Sequence, residues 1–235
     1  VNQGWTALMG FALVPLYIKY LGVEAYGLIG IFASLQAWFG ILDLGLTQTL
    51  NREMARFKAG ARSSQSVRDL LRSMEVIYIL ISIVIWSVVQ ILAPVITNHW
   101  INLDKVSPEI AIESLKITGL IAALNWVGGL YRSALSGLQE QVWLSVSSII
   151  FATLRGVGVI AAMIYISPTL TTFFKYQGFI ACLETITLGI ITLRFLPKTG
   201  RFAKFNIVEL KSIWRFAAGI MMVALLSISL TQVDK

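Results

Sequence analysis

Long, nearly unbroken apolar runs recur along this chain, and few folds accommodate them. A helix rises about 1.5 Å per residue and needs ~20 mostly apolar residues to cross the hydrocarbon core of a bilayer. Seven stretches come near that length: Trp5 to Tyr20, Leu28 to Leu50, Met74 to Ile96, Ile112 to Leu135, Val142 to Ile166, Phe173 to Leu193 and Ile213 to Leu230. Between the fourth and fifth stand only Ser136-Gly137-Leu138-Gln139-Glu140-Gln141, enough for a tight helical hairpin. Composition agrees, because charged residues make up 13% and apolar residues 57%, whereas a soluble domain carries about 25% charged residues. The mean hydropathy is +0.77. A closed barrel also satisfies its backbone inside lipid, but it reads as alternating segments of roughly ten residues. The continuous runs predict an all-α membrane protein, a polytopic helical bundle.

A net charge of +7 raises the question of nucleic acid, and the placement of the charge answers it. Of 19 Lys and Arg, 12 fall in two windows, 51–72 and 194–215, each between apolar runs. They read as membrane-flanking loops, with no nucleic-acid partner. Lys and Arg concentrate on the cytoplasmic side, counted over short loops near span ends. The segments 21–27 and 167–172 hold no Lys or Arg, and 97–113 holds only Lys105 against Asp104, Glu109 and Glu113. Both basic windows are therefore expected inside, together with the amino terminus, while Asp104 and Thr169 face outward. Trp5, Trp100 and Trp143 stand near expected span ends, at headgroup depth. Asn206 to Ser212, preceded by Phe202 and Phe205, reads either as a short interfacial helix or as ordinary basic linker.

Several kinds of chemistry find no residues here. His99 is the one histidine and has no second His or Cys near it in sequence, so neither a metal site nor a cofactor is expected, and no Ser, His and Asp set assembles around it. Gly156-Val157-Gly158 lies within a span and reads as close helix packing or a local kink. The lone Cys182 cannot form an intramolecular disulfide. The chain starts at Val1 and stops as an apolar run finishes, which suggests a piece of a longer protein.

Ionisable residues inside spans are costly and are functional candidates by default. Arg155 lies 13 residues beyond Val142 and Glu184 lies 11 beyond Phe173, so on consecutive antiparallel helices both fall near mid-membrane and can meet. The alternatives are a structural ion pair and a ligand-binding cation with its resting partner. Lys116, Arg132 and Arg215 are weaker candidates, each close enough to a span end to snorkel toward water. Asp43, near the inner end of the second run, is placed to reach cytoplasmic water or a basic residue.

Residues 14 to 56 carry something more specific. Val14-Pro15-Leu16, Tyr20-Leu21-Gly22-Val23-Glu24-Ala25-Tyr26-Gly27-Leu28, Leu42-Asp43-Leu44-Gly45-Leu46 and Thr49-Leu50-Asn51-Arg52-Glu53 together resemble the polysaccharide biosynthesis family of O-antigen and oligosaccharide flippases. This family belongs to the multidrug/oligosaccharidyl-lipid/polysaccharide superfamily. Tyr131-Arg132-Ser133-Ala134-Leu135-Ser136-Gly137-Leu138-Gln139 is similar to the family's fourth-to-fifth helix turn. Gly22 and Gly27 are expected to flank an outer turn that glycine's backbone freedom helps to close.

The resemblance implies a transporter of two lobes that moves undecaprenyl-pyrophosphate-linked oligosaccharide across the bacterial cytoplasmic membrane for O-antigen, capsule or exopolysaccharide. On that reading residues 1–193 form the first six-helix lobe, 194–212 a basic cytoplasmic linker, and 213–235 the first helix of a second lobe. Arg155 then holds the pyrophosphate or an acidic sugar, with Glu184 as its partner in the empty state. Partners are the lipid-linked oligosaccharide and the bilayer; coupling to H+ or Na+, and contacts with other polysaccharide assembly proteins, stay open. One alternative is a multidrug or metabolite exporter of the same superfamily, for which cavity carboxylates without cationic partners would speak. A membrane-embedded glycan polymerase or ligase is another, although it calls for a substantial outer loop carrying basic or catalytic residues.

Overall fold

In the computed structural model, residues 2–41, 43, 45–100 and 106–233 are described, with side chains except at 2–3, 37–38, 40–41 and 224–233. Leu42 and Leu44 of the sequence motif, Asp104 and Lys105 of the acidic segment, and the terminal Asp234-Lys235 lie outside the described residues. Every regular element among the described residues is helical: α1 (Asn2–Leu21), α2 (Val23–Ile41), α3 (Leu46–Lys58), α4 (Ser64–Trp100), α5 (Pro108–Gly137), α6 (Gln141–Thr153), a π-helical turn (Leu154–Gly158), α7 (Val159–Tyr165), α8 (Leu170–Phe195) and α9 (Ile207–Val233). Among the described residues, five segments are long and apolar enough to span: Gly4–Leu21, Ser64–Trp100, Pro108–Gly137, Gln141–Tyr165 and Leu170–Phe195. The chain is thus an all-α, multi-pass membrane protein.

Three expectations change. The run Leu28 to Leu50 is not one helix but breaks between α2 and α3. Gly45, at φ +80°, turns the chain there, and a Cβ on it would run into Ile220 of α9. Beyond the break α3 is amphipathic, with Thr49, Leu50, Glu53 and Met54 buried and Gln48 and Arg52 exposed, so it does not continue an apolar span. The turn after α1 needs only Gly22, at φ +86°, whereas Gly27 lies inside α2. Asn206 to Ser212 forms no separate interfacial helix, because α9 starts at Ile207 and runs unbroken through the seventh apolar stretch.

α5 is the central helix and packs against α2, α3, α4, α6 and α8. Ser107 caps its start by accepting from the Ile110 N–H at 3.4 Å, and Pro108 follows in the first turn, where its missing N–H costs nothing. One core cluster joins Leu50, Met54, Leu70, Met74, Tyr78, Trp126 and Leu130. A second joins Phe32, Val89, Leu115, Val159, Met163, Phe173 and Phe174. Outside them α4 exposes Leu80, Ile83, Val84, Val88, Ile91 and Val95, an apolar face suited to lipid.

Both basic segments lie at one end of the bundle. Arg68 Nη1 donates to the Pro197 carbonyl at 3.0 Å, the Lys204 N–H donates to Asp69 at 2.9 Å, and the Asn206 N–H donates to Ser73 at 2.7 Å. Arg62 bridges Glu53 of α3 and Glu209 of α9, at 3.1 Å each. Gly22 lies at the other end with Val106, whose N–H donates to Glu24 at 3.2 Å. The charge pattern requires this sorting, since the loops of each group leave the bundle on the same side.

Candidate functional site: a polar cleft with two arginines on one carboxylate

Polar side chains from α1, α3, α5, α6 and α8 line a cleft of three adjoining lobes. A lobe of about 440 Å³ is bordered by Thr6, Asn125, Arg132, Ser148, Arg155 and Glu184. It shares Arg132 and Ser148 with a lobe of about 390 Å³, which in turn shares Thr47 and Gly129 with a lobe of about 190 Å³ around Asp43.

Arg155 owes its position to the π turn. Widening one turn of a helix leaves backbone carbonyls short of partners, a device often found at functional sites. Here α8 supplies the donors: Tyr176 O–H to Leu154 O at 3.1 Å and Gln177 Nε2 to Arg155 O at 3.2 Å. The two glycines make room, as a Cβ on Gly156 would meet Leu13 of α1 and one on Gly158 would meet the Tyr176 hydroxyl. The packing-and-kink reading of Gly156-Val157-Gly158 matches this geometry.

Arg155 Nη2 reaches Glu184 Oε2 at 2.8 Å and Asn125 Oδ1 at 3.3 Å, so the expected meeting of Arg155 and Glu184 occurs. Arg132 differs from its sequence reading. Instead of snorkelling, it donates from Nη2 to Glu184 Oε1 at 2.5 Å. The end of α5 packs against α3, and the cleft offers the guanidinium a carboxylate while the side chain stays 39% exposed. Each oxygen of Glu184 thus holds one arginine, and the residue is only 8% exposed. Arg155 Nε is buried and unpartnered among the described residues, leaving one donor unspent. Two cations over one carboxylate give this lobe a formal charge of +1. Such a cluster suits an anion with several oxygens, because a guanidinium can give two parallel hydrogen bonds to phosphate or carboxylate.

The other candidates separate. Asp43 pairs with no basic residue among the described residues and is half-buried in the cleft wall: its Oδ1 accepts from the Tyr78 hydroxyl at 2.7 Å and its Oδ2 from the Thr47 hydroxyl at 2.5 Å. The Thr47 N–H adds a third bond at 3.3 Å. Asp43 lines the smallest lobe with Gln36, Asn125 and Trp126. Lys116 and Arg215 border none of the three lobes; Lys116 is half-buried, and Arg215 is exposed on α9.

Two features escaped the sequence reading. Glu53, 1% exposed, gathers Arg52, Arg56 and Arg62 at 3.6, 3.3 and 3.1 Å and ties the basic end together. The second is a set of neutral polar side chains in the 390 Å³ lobe: Gln48 and Asn51 of α3, Ser133 and Ser136 of α5, and Gln141 and Ser148 of α6. Their spacing of three or seven residues is a helical stripe, and it was the available signal. Hydropathy averaged over a span conceals it.

No curated protein and no solved structure matches the chain. The sequence profile of the polysaccharide biosynthesis protein family, by contrast, matches residues 1–235, and the chain belongs to that family.

Proposed function

We propose that this chain is the amino-terminal part of a flippase that carries undecaprenyl-pyrophosphate-linked oligosaccharide from the inner to the outer face of the bacterial cytoplasmic membrane, for O-antigen, capsule or exopolysaccharide. The observation that carries the reading is the pair of arginines converging on Glu184 inside a polar cleft of a membrane bundle. Buried charge of this kind is expensive in lipid and marks a substrate path. Glu184 holds the guanidiniums while the cleft is empty. An entering pyrophosphate takes over both arginines, and Glu184 is released. In this reading residues 1–193 are one lobe, 194–212 a cytoplasmic linker that shares its side with the amino terminus, and 213–235 the opening of a second lobe. Rocking of one lobe against the other then exposes the cleft to each face in turn.

A second reading, export of a cationic drug or metabolite, is supported by Asp43, whose bonds to described residues come from Tyr78 and Thr47 and from no cation. One experiment separates the two. In the full transporter, Arg155→Ala and Arg155→Lys are compared for membrane abundance and for surface glycan. The flippase reading expects normal abundance, glycan lost with alanine and partly retained with lysine. Normal export in Arg155→Ala removes this arginine from the substrate path.

A further inference from the structure

We infer that the 390 Å³ lobe is a subsite for an uncharged sugar, the one bonded directly to the phosphate that the arginines hold; this rests on the flippase reading and specifies its ligand. The lobe lies within the ~300–1,000 Å³ typical of small-molecule pockets. Three helices each contribute one stripe. α3 gives Thr47, Gln48 and Asn51, α5 gives Gly129, Arg132, Ser133 and Ser136, and α6 gives Gln141, Leu144 and Ser148.

Apart from Arg132 these residues are amides, hydroxyls, one glycine and one leucine. Amide and hydroxyl groups both donate and accept, as sugar hydroxyls do, so they can satisfy a ring of hydroxyls in several orientations. Among the described residues nothing engages the side chains of Gln48, Asn51 or Ser148, which leaves their hydrogen-bonding capacity for a ligand. Other members are already committed and shape the wall. Ser133 donates to the Thr47 carbonyl, and Gln141 Nε2 donates to Ser136 at 3.3 Å. Gly137 holds the α3 and α5 stripes close, since its missing Cβ lets α5 lie against the Asn51 carbonyl and Met54.

The charge distribution selects the class of sugar. Among the described residues Arg132 is the one ionisable side chain lining the lobe; it serves Glu184 while the cleft is empty and the phosphate once the ligand enters. A uronic or sialic acid would bring a carboxylate to a wall with no uncommitted cation, so the cost of desolvating its charge would be only partly offset. A neutral hexose or N-acetylhexosamine would find amide and hydroxyl partners. Arg132 and Ser148 border both lobes, so a phosphate between Arg132 and Arg155 sets its first sugar beside Gln48 and Asn51.

The test uses the full transporter in lipid nanodiscs and three short-chain probes: farnesyl diphosphate, farnesyl diphosphoryl-N-acetylglucosamine and farnesyl diphosphoryl-glucuronic acid. Binding is read by tryptophan fluorescence, since Trp126 borders the adjoining lobe. The N-acetylglucosamine probe should bind about tenfold more tightly than farnesyl diphosphate, and the glucuronic acid probe should show no such gain. Gln48→Leu with Asn51→Leu should abolish that tenfold difference and leave farnesyl diphosphate binding unchanged. Ser148→Ala, a small change with little effect on folding, should reduce the difference about threefold. If the variants keep the full preference for N-acetylglucosamine, or if the acidic sugar gains equally, the subsite is wrong although the arginine site stands. If farnesyl diphosphate does not bind, or binds Arg155→Ala as well as the unsubstituted chain, the flippase reading fails and the subsite falls with it.

Discussion

Substituting Glu184 by glutamine should change sign in its effect on stability according to whether the two arginines are present. In the unsubstituted protein the carboxylate accepts from Arg155 at 2.8 Å and from Arg132 at 2.5 Å. Hydrogen bonds to charged groups contribute about 1.5–3 kcal/mol each in buried settings. The Arg132 side chain is 39% exposed and that of Arg155 26%, so solvent screens the Arg132 bond more and its share falls toward the ~1 kcal/mol of a surface pair. Glu184→Gln alone should therefore destabilise by about 2–3 kcal/mol. With Arg132→Ala and Arg155→Ala in place, Glu184 is a buried carboxylate without a cation, a state that costs about 3–5 kcal/mol. Glutamine at 184 then removes the uncompensated charge and should restore about 1–3 kcal/mol. The assay is equilibrium unfolding in mixed detergent micelles by graded SDS, followed by circular dichroism on all four proteins of the cycle. Distant, independent sites add within about 0.5 kcal/mol. If glutamine destabilises both backgrounds equally within that margin, Glu184 is not held by these arginines and the account of the cleft fails.

Gly137→Ala should destabilise by about 1–3 kcal/mol, because the new methyl meets the Asn51 carbonyl and Met54 on α3. Gly30→Ala, with nothing within 4 Å of the new atom, should instead be neutral or stabilising by up to about 1 kcal/mol, as glycine is the poorer helix former; the same unfolding assay checks the pair, and equal effects would refute the packing argument. Single cysteines at Arg56, Lys198 and Thr169 in a Cys182→Ser background should react with an impermeant thiol reagent in intact cells only at position 169. Labelling of position 56 with protection of 169 would invert the proposed orientation.

How much of this was legible in the chain depends on which quantity each feature obeys. Helix positions, the hairpin at 136–141 and the sorting of charge to one end follow from sums along the sequence, since transfer of a segment into lipid depends on its composition and on little else. The contact of Arg155 with Glu184 was readable as well. Depth is residue count multiplied by helical rise, and antiparallel neighbours at equal depth meet if they share a face.

What the sequence withheld depends on helix rotation and on neighbours distant in the chain. Arg132 read as a span-end cation because its depth was known and its direction was not; only the packing of α5 between α3 and α8 turns it to Glu184. The break between α2 and α3 was hidden within a run of suitable hydropathy, and Ile220, 175 residues beyond Gly45, is part of what fixes the turn there. Asp43 needed Tyr78, Glu53 needed Arg62, and the neutral stripes of three helices needed one another to become a wall. Composition and periodicity determine that a helix crosses the membrane and at what depth its residues lie. The azimuth of each helix is a property of pairs of surfaces, and tertiary packing decides it.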